Sequence, residues 1–303
     1  MNFNMDNFRI EGTIYRPPVE ANTFLLQVTA GCTHNACRFC NMYKEKLFHM
    51  IDDSDIRFNL MEAQRISGIY KKPIKRIFLM DGDVFSLSAD KLEAKIKDIR
   101  MYLPDLEIIS MYAAVRSIKS KTDEELLRLK ELGVNDLHIG FESGLDDVLS
   151  FMNKGTTLAD SKEQAARLHQ AGIRFNGTFI LGLAGKGRGE ENGRATATLI
   201  NEIKPELVRM MTLSIFDDAE LAEDVKEGRF EEAGEKEILM EEKIVLENLE
   251  LPELHFWANH VLNSTPVAGY VGKDRAWMLK RIEKSLEEVD DEAFKKNFKR
   301  LHL

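Results

Sequence analysis

The chain has 303 residues, of which 44% are hydrophobic, 31% are charged and only seven are proline, so its composition excludes a collagen-like chain, a low-complexity chain and extensive disorder. The 51 acidic residues outnumber the 42 basic ones, and the resulting net charge of −9 disfavours nucleic acid as a partner. The longest apolar stretches, such as 178–184, are much shorter than the roughly 20 residues of a membrane span, and charged residues near the N-terminus do not fit a signal peptide. We therefore expect a cytoplasmic protein without a membrane partner.

Strand and helix patterns alternate through the first two thirds of the chain. The predicted strands are 24–28, 76–80, 106–111, 136–141, 175–181 and 206–211, and the predicted helices between them are 55–70, 89–102, 122–132, 146–171 and 190–203. Because parallel strands need a crossover connection, this alternation predicts a parallel sheet. Six units are fewer than a closed barrel of eight requires, so we predict an α/β fold, a partial (β/α)6 TIM-like barrel with a C-terminal helical extension.

The strand pattern ends near residue 216, which suggests a division into a core over 1–215 and a mostly helical extension or cap over 216–303. The second part has a charged helix at 235–249, an uncharged aromatic stretch at 256–264 and a final helical stripe. Its acidic character, with pairs such as Glu241-Glu242, does not fit an appended RNA-binding domain.

All three cysteines, Cys32, Cys37 and Cys40, lie within nine residues after the first predicted strand, where parallel α/β folds build their active sites. An odd number of cysteines at this spacing indicates a metal site rather than a disulfide framework. Three thiolates can bind three irons of a [4Fe–4S] cluster and leave the fourth iron open for a substrate or cofactor. A Cys₃His zinc site that uses His34 or His49, or a redox pair of Cys37 and Cys40, stays open as an alternative.

Together with the motifs that follow it, the cysteine loop resembles the radical S-adenosylmethionine (SAM) superfamily. The shared features are Phe39 before the last cysteine, Asp81-Gly82-Asp83 after the second strand, 141–144 after the fourth strand and 177–185 in the fifth. They are most similar to the branch of oxygen-independent coproporphyrinogen oxidases, methylthiotransferases and the elongator catalytic subunit. The sequence departs from the family in two places. Four residues rather than three separate Cys32 from Cys37, which a local bulge can absorb, and Asp81 and Asp83 replace glycine and glutamate.

The resemblance implies a [4Fe–4S] cluster bound by Cys32, Cys37 and Cys40, and SAM bound at its open iron. Reductive cleavage of SAM would yield a 5′-deoxyadenosyl radical that abstracts hydrogen from the substrate, an oxidoreductase reaction for which flavodoxin or ferredoxin would supply the electron. The family pattern assigns Asp83 to the SAM ammonium group and Glu142 to the ribose hydroxyls or the amino-acid part. The full set of implied cofactor-binding residues is Phe39, Asp81, Gly82, Asp83, Glu142, Ser143 and Gly182.

For several residues the sequence leaves alternative roles open. The cation for the SAM carboxylate is Arg116, Arg174 or Lys154. His138 fits a buried core position best. His260 either covers the substrate or packs against Trp257, and the glycines at 177, 182 and 185 either admit the adenine or serve close packing.

The cysteine count also bears on the substrate. The first cluster uses every cysteine, so none remains for a second cluster or for sulfur donation. We therefore expect a small-molecule substrate. Modification of a tRNA or a protein side chain, and a non-catalytic iron–sulfur binding module, are the alternatives.

Overall fold

The computed structural model describes residues 7–291, so the last part of the extension predicted over 216–303, residues 292–303, lies outside the described residues. Within that range the strands are β1 Phe24–Gln27, β2 Thr29–Ala30, β3 His49–Met50, β4 Arg76–Met80, β5 Ile108–Ala113, β6 Val134–Glu142, β7 Phe175–Leu181, β8 Leu207–Thr212, β9 His255–Ala258 and β10 Val267–Tyr270. The α-helices with both ends inside it are α1 Asp53–Tyr70, α2 Ala89–Tyr102, α3 Val115–Lys119, α4 Asp123–Glu131, α5 Asp146–Phe151, α6 Leu158–Gln170, α7 Gly189–Ile203, α8 Glu220–Lys226, α9 Glu235–Asn248 and α10 Val271–Glu288. Within the described range, none of these helices combines the length and apolar character of a membrane span.

The described residues form two compact units. The first unit comprises 7–35, Tyr43–Ile139 and Arg167–Phe175, and the second comprises Ala36–Met42, Gly140–Ala166 and 176–291. The cysteine loop and strand β6 each contribute residues to both units. This division follows compactness, and the predicted boundary at 215/216 stays a prediction.

In the first unit, β1, β4, β5 and the first part of β6 are neighbours in that order, and all are parallel. Leu25, Phe78 and Met80 form a buried cluster on one face of these strands. The predicted start of the helix near 122 is confirmed, because Thr122 and Glu125 form a reciprocal capping box at the start of α4.

In the second unit, the end of β6 is followed by β7, β8, β9 and β10. Strands β7, β8 and β9 are parallel, and β10 runs antiparallel to β9. The rings of Phe141 and Phe179 stack at 5.8 Å between centroids. A side-chain carbon on Gly177 would lie 3.0 Å from the Phe179 ring and 3.3 Å from that of Phe141. Gly177 therefore serves close packing of this aromatic pair.

Two predictions of secondary structure are wrong. The single helix predicted over 146–171 is two helices, α5 and α6, because Asn153 and Gly155 between them have φ angles of +52° and +73°. The predicted loss of strands after 216 overlooks β9 and β10, and the aromatic stretch at 256–264 begins inside β9. Each of these strands has only four residues, too few for a clear alternating pattern.

Candidate functional site

The start of the cysteine loop is hydrogen-bonded to the end of β4 in the first unit. The Gly31 N–H donates to Asp81 Oδ2 at 3.0 Å, and the Gly82 N–H donates to the Gly31 carbonyl at 3.1 Å. A side-chain carbon on Gly82 would lie 2.8 Å from Cβ of Cys32 and 2.9 Å from the Tyr43 ring. Only glycine fits at position 82, which explains why the loop can begin against this strand end.

Asp81 is buried and strained, and its side chain fixes the loop. Its φ angle is +78°, which is unusual for a residue other than glycine. Besides Gly31, its Oδ2 accepts from Gln27 Nε2 at 3.0 Å and from Lys46 Nζ at 3.3 Å. Burial raises the pKa of Asp81, although Gln27 and Lys46 oppose the shift. These contacts fix the start of the loop against β4, so Asp81 acts here as a positioning residue.

Asp83, the predicted partner of the SAM ammonium group, lies fully buried two residues further on. Its Oδ2 accepts from Thr33 Oγ1 at 2.8 Å and from Arg116 Nη2 at 3.2 Å, and its Oδ1 accepts from the Ala114 N–H at 3.3 Å. Arg116 Nη2 also donates to Thr33 at 3.0 Å. The structure therefore places one of the three candidate cations, Arg116, directly against Asp83 and beside the cysteine loop.

The extra residue between Cys32 and Cys37 is accommodated by a left-handed turn. Asn35 has a φ angle of +44°, and its Nδ2 donates to the Tyr43 carbonyl at 2.6 Å. Asparagine tolerates this conformation better than most residues. A local bulge is what the sequence predicts for this loop, and the link between the turn and the extra residue stays a prediction.

In the second unit, Arg38 connects the loop to α8. Its Nη1 donates to both oxygens of Asp224, at 3.0 and 2.9 Å, and Asp224 also accepts from Arg229 Nε at 2.7 Å. Backbone hydrogen bonds from Arg38 N–H to the Met152 carbonyl and from Leu221 N–H to the Arg38 carbonyl fix the same residue. Burial raises the pKa of Asp224, but the hydrogen bonds from Arg38 and Arg229 outweigh it, and the net shift is downward.

Between the last two cysteines, the loop makes a turn in which the Cys40 N–H donates to the Cys37 carbonyl at 3.1 Å. Phe39 packs against an apolar cluster of the second unit that includes Met152, Leu183 and Phe230. The aromatic residue before the last cysteine thus anchors the loop in this cluster. Its predicted contact with the cofactor stays a prediction.

Glu142 ends β6 and is paired with Lys154. Its Oε1 accepts from Lys154 Nζ at 2.6 Å, and both side chains are largely buried. Glu142 has a φ angle of +70°, and a side-chain carbon on Gly140 would lie 2.0 Å from its Oε1, so the chain here depends on a glycine two residues earlier. The second candidate cation is therefore bound to the second predicted carboxylate.

A buried polar network joins Ser143 to Gly182. Ser143 Oγ donates to Asn192 Oδ1 at 2.6 Å, Asn192 Nδ2 donates to Glu241 Oε1 at 2.6 Å, and the Gly182 N–H donates to Glu241 Oε2 at 2.9 Å. Burial raises the pKa of Glu241 to about 8. Two predicted cofactor-binding residues are thus positioned by Asn192 and Glu241, which belong to α7 and α9.

The remaining candidate residues, Arg174, His49 and His138, pair with other side chains. Arg174 precedes β7 at the amino end of the strand and pairs with Asp136 at 2.9 Å. His49 Nε2 lies 3.1 Å from Glu11, and His138 is buried as predicted, 3.2 Å from Glu20. Across residues 7–291, no three His, Cys, Asp or Glu side chains surround one point closely enough to bind a metal ion. Convergence of the three thiols on one cluster is therefore a prediction from their shared loop.

Sequence reasoning missed the residues that support the site. Arg38 and Asp224 are 186 positions apart, and no local pattern connects them. Glu241 could not be singled out either, because α9 carries charged residues on both sides of it and only the fold shows that this carboxylate is buried.

Known proteins with similar sequences indicate the family to which these motifs belong. The model of the Radical SAM superfamily matches residues 26–199, a range that includes the cysteine loop and both strand-end motifs. The chain is 24% identical over 200 residues to a tRNA-2-methylthio-N(6)-dimethylallyladenosine synthase of Nitrosomonas europaea, an alignment that covers 62% of this chain and 43% of that protein. It is 31% identical over 121 residues to the heme chaperone HemW of Bacillus subtilis, with 39% of this chain and 31% of that protein covered. The chain thus spans less than half the length of these curated relatives.

Among solved structures, Elp3 of the archaeon Methanocaldococcus infernus is similar with a TM-score of 0.56 and 13% sequence identity. The match covers 88% of this chain and 63% of that chain. At this identity the likeness concerns the fold alone. With the strand order described above, it confirms the predicted α/β fold, a partial TIM-like barrel with a largely helical C-terminal part.

Proposed function

Since this chain belongs to the radical SAM superfamily, we propose that it is an oxidoreductase that cleaves SAM reductively and uses the resulting radical to abstract hydrogen from a small-molecule substrate. Membership confirms the predicted family, and the predicted cofactors, a [4Fe–4S] cluster and SAM, are those of the family. When bound, they supply a 5′-deoxyadenosyl radical. The observation that carries the proposal is the three-cysteine loop, which is fixed by Asp81 in the first unit and by Asp224 in the second.

The residues present fit these cofactors. Three thiolates on a nine-residue loop are the donor set of a cluster with one open iron. The absence of a side chain at Gly82 allows Cys32 to lie against the end of β4. Cys32, Cys37 and Cys40 would hold the cluster.

Each unit has a largely buried carboxylate paired with a cation. In the first unit, Asp83 and Arg116 offer a carboxylate and a guanidinium beside the start of the loop, where they suit an ammonium group and a carboxylate. We propose that this pair exchanges part of its mutual contact for contact with the amino-acid part of SAM. In the second unit, Glu142 and Lys154 form a pair of the same kind, and the role of Glu142 toward SAM stays the one that the family resemblance implies. The apolar surroundings of Phe39 would exclude water and competing hydrogen donors.

The decisive experiment is anaerobic reconstitution with iron and sulfide, followed by addition of SAM and dithionite. We expect brown protein with about four irons per chain and slow release of 5′-deoxyadenosine without any substrate, because uncoupled cleavage needs only the cluster, SAM and an electron. Cys32→Ala, Cys37→Ala and Cys40→Ala should each lose the cluster. Colourless protein with one zinc would contradict the proposal, and intact iron content without SAM cleavage would favour a non-catalytic binding module.

The net charge of −9 favours a small-molecule substrate over a nucleic acid. The relative from Nitrosomonas europaea is named for a tRNA product, so tRNA binding is the alternative to test. Salt-dependent binding of tRNA at micromolar concentration would replace the small-molecule proposal. We further propose a cytoplasmic location, where thiols stay reduced, and flavodoxin or ferredoxin as electron donor.

A further inference from the structure

One face of the sheet in the second unit carries a row of polar and aromatic side chains. Thr178 of β7, Arg209 of β8 and Trp257 of β9 occupy matching register positions on three parallel strands. Their neighbours Phe179, Met210 and Ala258 lie on the opposite face and are fully buried. Because side chains alternate along a strand, the first three residues share the more open face. We call Thr178, Arg209, Trp257 and the nearby His260 the Arg209 row.

Arg209 is a largely buried cation whose side chain has no partner. It is only 7% exposed, yet among residues 7–291 its guanidinium forms no ion pair and no hydrogen bond. A buried guanidinium is costly unless an acceptor neutralises it. The other largely buried cations behave differently: Lys121 donates to three backbone carbonyls, and Lys154 binds Glu142. Arg209 is therefore positioned for an acceptor that does not come from the described part of the chain.

His260 adds a directed hydrogen-bond donor to the row. Its ring meets Trp257 edge to face at 6.4 Å, and its Nδ1 lies 3.2 Å from the Leu262 N–H. Burial and the charge of Arg209 lower the pKa of His260 to about 4, so the ring is neutral near pH 7. A neutral ring that accepts at Nδ1 carries its hydrogen on Nε2. That N–H is available to an acceptor.

We propose that the Arg209 row binds a carboxylate of the substrate, with the apolar body of the substrate against Trp257. The inference rests on the proposed function and adds the substrate class. One guanidinium with one imidazole N–H and the Thr178 hydroxyl matches a group with a single negative charge, whereas a phosphate dianion would need a second cation. The indole of Trp257 offers a flat apolar surface beside these donors.

Binding can be measured without turnover, because the chain has only two tryptophans and one of them lies in the row. Trp277 is 45% exposed on α10, so Trp277→Phe leaves Trp257 as the reporter in the otherwise complete, cluster-loaded protein. The probes are 3-phenylpropionate, its primary amide and phenyl phosphate, added with saturating SAM. We expect saturable quenching by the carboxylate with a Kd on the order of 1 mM, and at least about tenfold weaker binding of the amide and the phosphate.

Two substitutions test whether Arg209 and His260 bind the carboxylate. Arg209→Gln should weaken carboxylate binding at least about tenfold, and His260→Gln about threefold. The matched controls are Arg194→Gln, which removes a surface cation paired with Glu190, and His49→Gln, which removes a half-exposed histidine of the first unit. Both controls should bind as the parent does.

The proposal is overturned by equal affinity for the amide, by tighter binding of the phosphate, by competition between the probe and SAM, or by an unchanged affinity in Arg209→Gln. None of these results depends on SAM cleavage. Absence of 5′-deoxyadenosine would contradict the proposed function separately, since the titration needs no electron donor.

Discussion

At the scale of single residues, the two carboxylates predicted from strand ends each lie beside a cation. The sequence left Arg116, Arg174 and Lys154 equal as candidates, because pairing over distances of 12 to 38 positions depends on the fold. The structure distinguishes them by strand end. Arg174 lies at the amino end of β7, whereas Arg116 and Lys154 contact Asp83 and Glu142 at the carboxyl ends of β4 and β6.

Asp83 provides the first prediction. Asp83→Asn should leave iron content unchanged but weaken SAM binding about 10- to 100-fold, equivalent to roughly 1.5–3 kcal/mol for a charged hydrogen bond. The variant also takes from Arg116 a buried ion-pair partner, so we expect a lower melting temperature and compare SAM affinity at a temperature at which both proteins are folded. Arg116→Gln should weaken SAM binding less in Asp83→Asn protein than in the parent, because the two side chains form one hydrogen-bonded group. Calorimetry under nitrogen measures both effects. Unchanged SAM affinity in folded Asp83→Asn protein with full iron content would remove Asp83 from the SAM site.

At the scale of elements, the cysteine loop was predictable in position but not in its attachments. Its place after β1 and before α1 follows from the alternation of strands and helices. The turn at Asn35 lies in the segment between Cys32 and Cys37, which the cysteine spacing shows to be one residue longer than the family pattern. The contact from Arg38 to α8 was not predictable, because the two segments meet only in the folded chain.

The second prediction concerns this contact. Asp224→Asn neutralises a fully buried carboxylate that accepts hydrogen bonds from Arg38 and Arg229. Because breaking a buried ion pair leaves a charge uncompensated, it typically lowers the free energy of unfolding by about 3–5 kcal/mol. We expect faster loss of the cluster to an iron chelator and a lower melting temperature. The matched control is Glu220→Gln, whose half-exposed carboxylate lies 3.5 Å from the same arginine and should change stability by about 0–1 kcal/mol. Equal cluster loss in both variants would show that Asp224 does not hold the loop.

The third prediction concerns Glu241, whose pKa burial raises to about 8. Because its pKa in the folded chain lies above the unfolded value of about 4.3, its contribution to stability is full below pH 4 and is lost as pH rises through 8. Melting temperature should therefore fall more between pH 5 and 8 in the parent than in Glu241→Gln.

Two further variants separate this titration from simple loss of contact. Glu241→Ala leaves the buried donors of Gly182 and Asn192 without an acceptor and should cost about 1–3 kcal/mol for each. The matched control is Glu247→Gln at an exposed position of α9, which should leave the pH profile unchanged. If melting temperature falls equally with pH in the parent and in Glu241→Gln, the raised pKa of Glu241 is contradicted.

At the scale of the whole molecule, the alternation of elements predicted six β/α units with bounds close to those observed. It overlooked β9 and β10, whose four residues each carry little periodic signal. It also overlooked Glu20, in a short 3-10 turn before β1. The partners of Glu20 on β4, β5 and β6 lie 56, 90 and 118 positions away, so no local pattern could reveal them.

Glu20 is fully buried and ties three parallel strands of the first unit together. Its carboxylate accepts from Arg76 Nε at 3.0 Å and from Ser110 Oγ at 2.8 Å, and it lies 3.2 Å from His138 Nε2. Burial raises the pKa of Glu20, but hydrogen bonds from His138, Arg76 and Thr23 outweigh it and hold the pKa well below the usual range. The ionised form is therefore the one that stabilises the fold.

The last prediction follows from this shift. A lowered pKa in the folded chain means that the stabilisation is complete above the unfolded pKa of about 4.3 and is lost as pH falls below it toward the folded value. Glu20→Gln should cost about 3 kcal/mol at pH 7, since among residues 7–291 Arg76 then keeps one ion-pair partner, Asp136, instead of two, and it should flatten the fall in melting temperature between pH 5 and 3. Glu11→Gln is the matched control, because that carboxylate is 57% exposed and should change stability by about 0–1 kcal/mol. If Glu20→Gln keeps the acid sensitivity of the parent, carboxylates elsewhere in the chain govern acid unfolding and Glu20 does not hold the three strands.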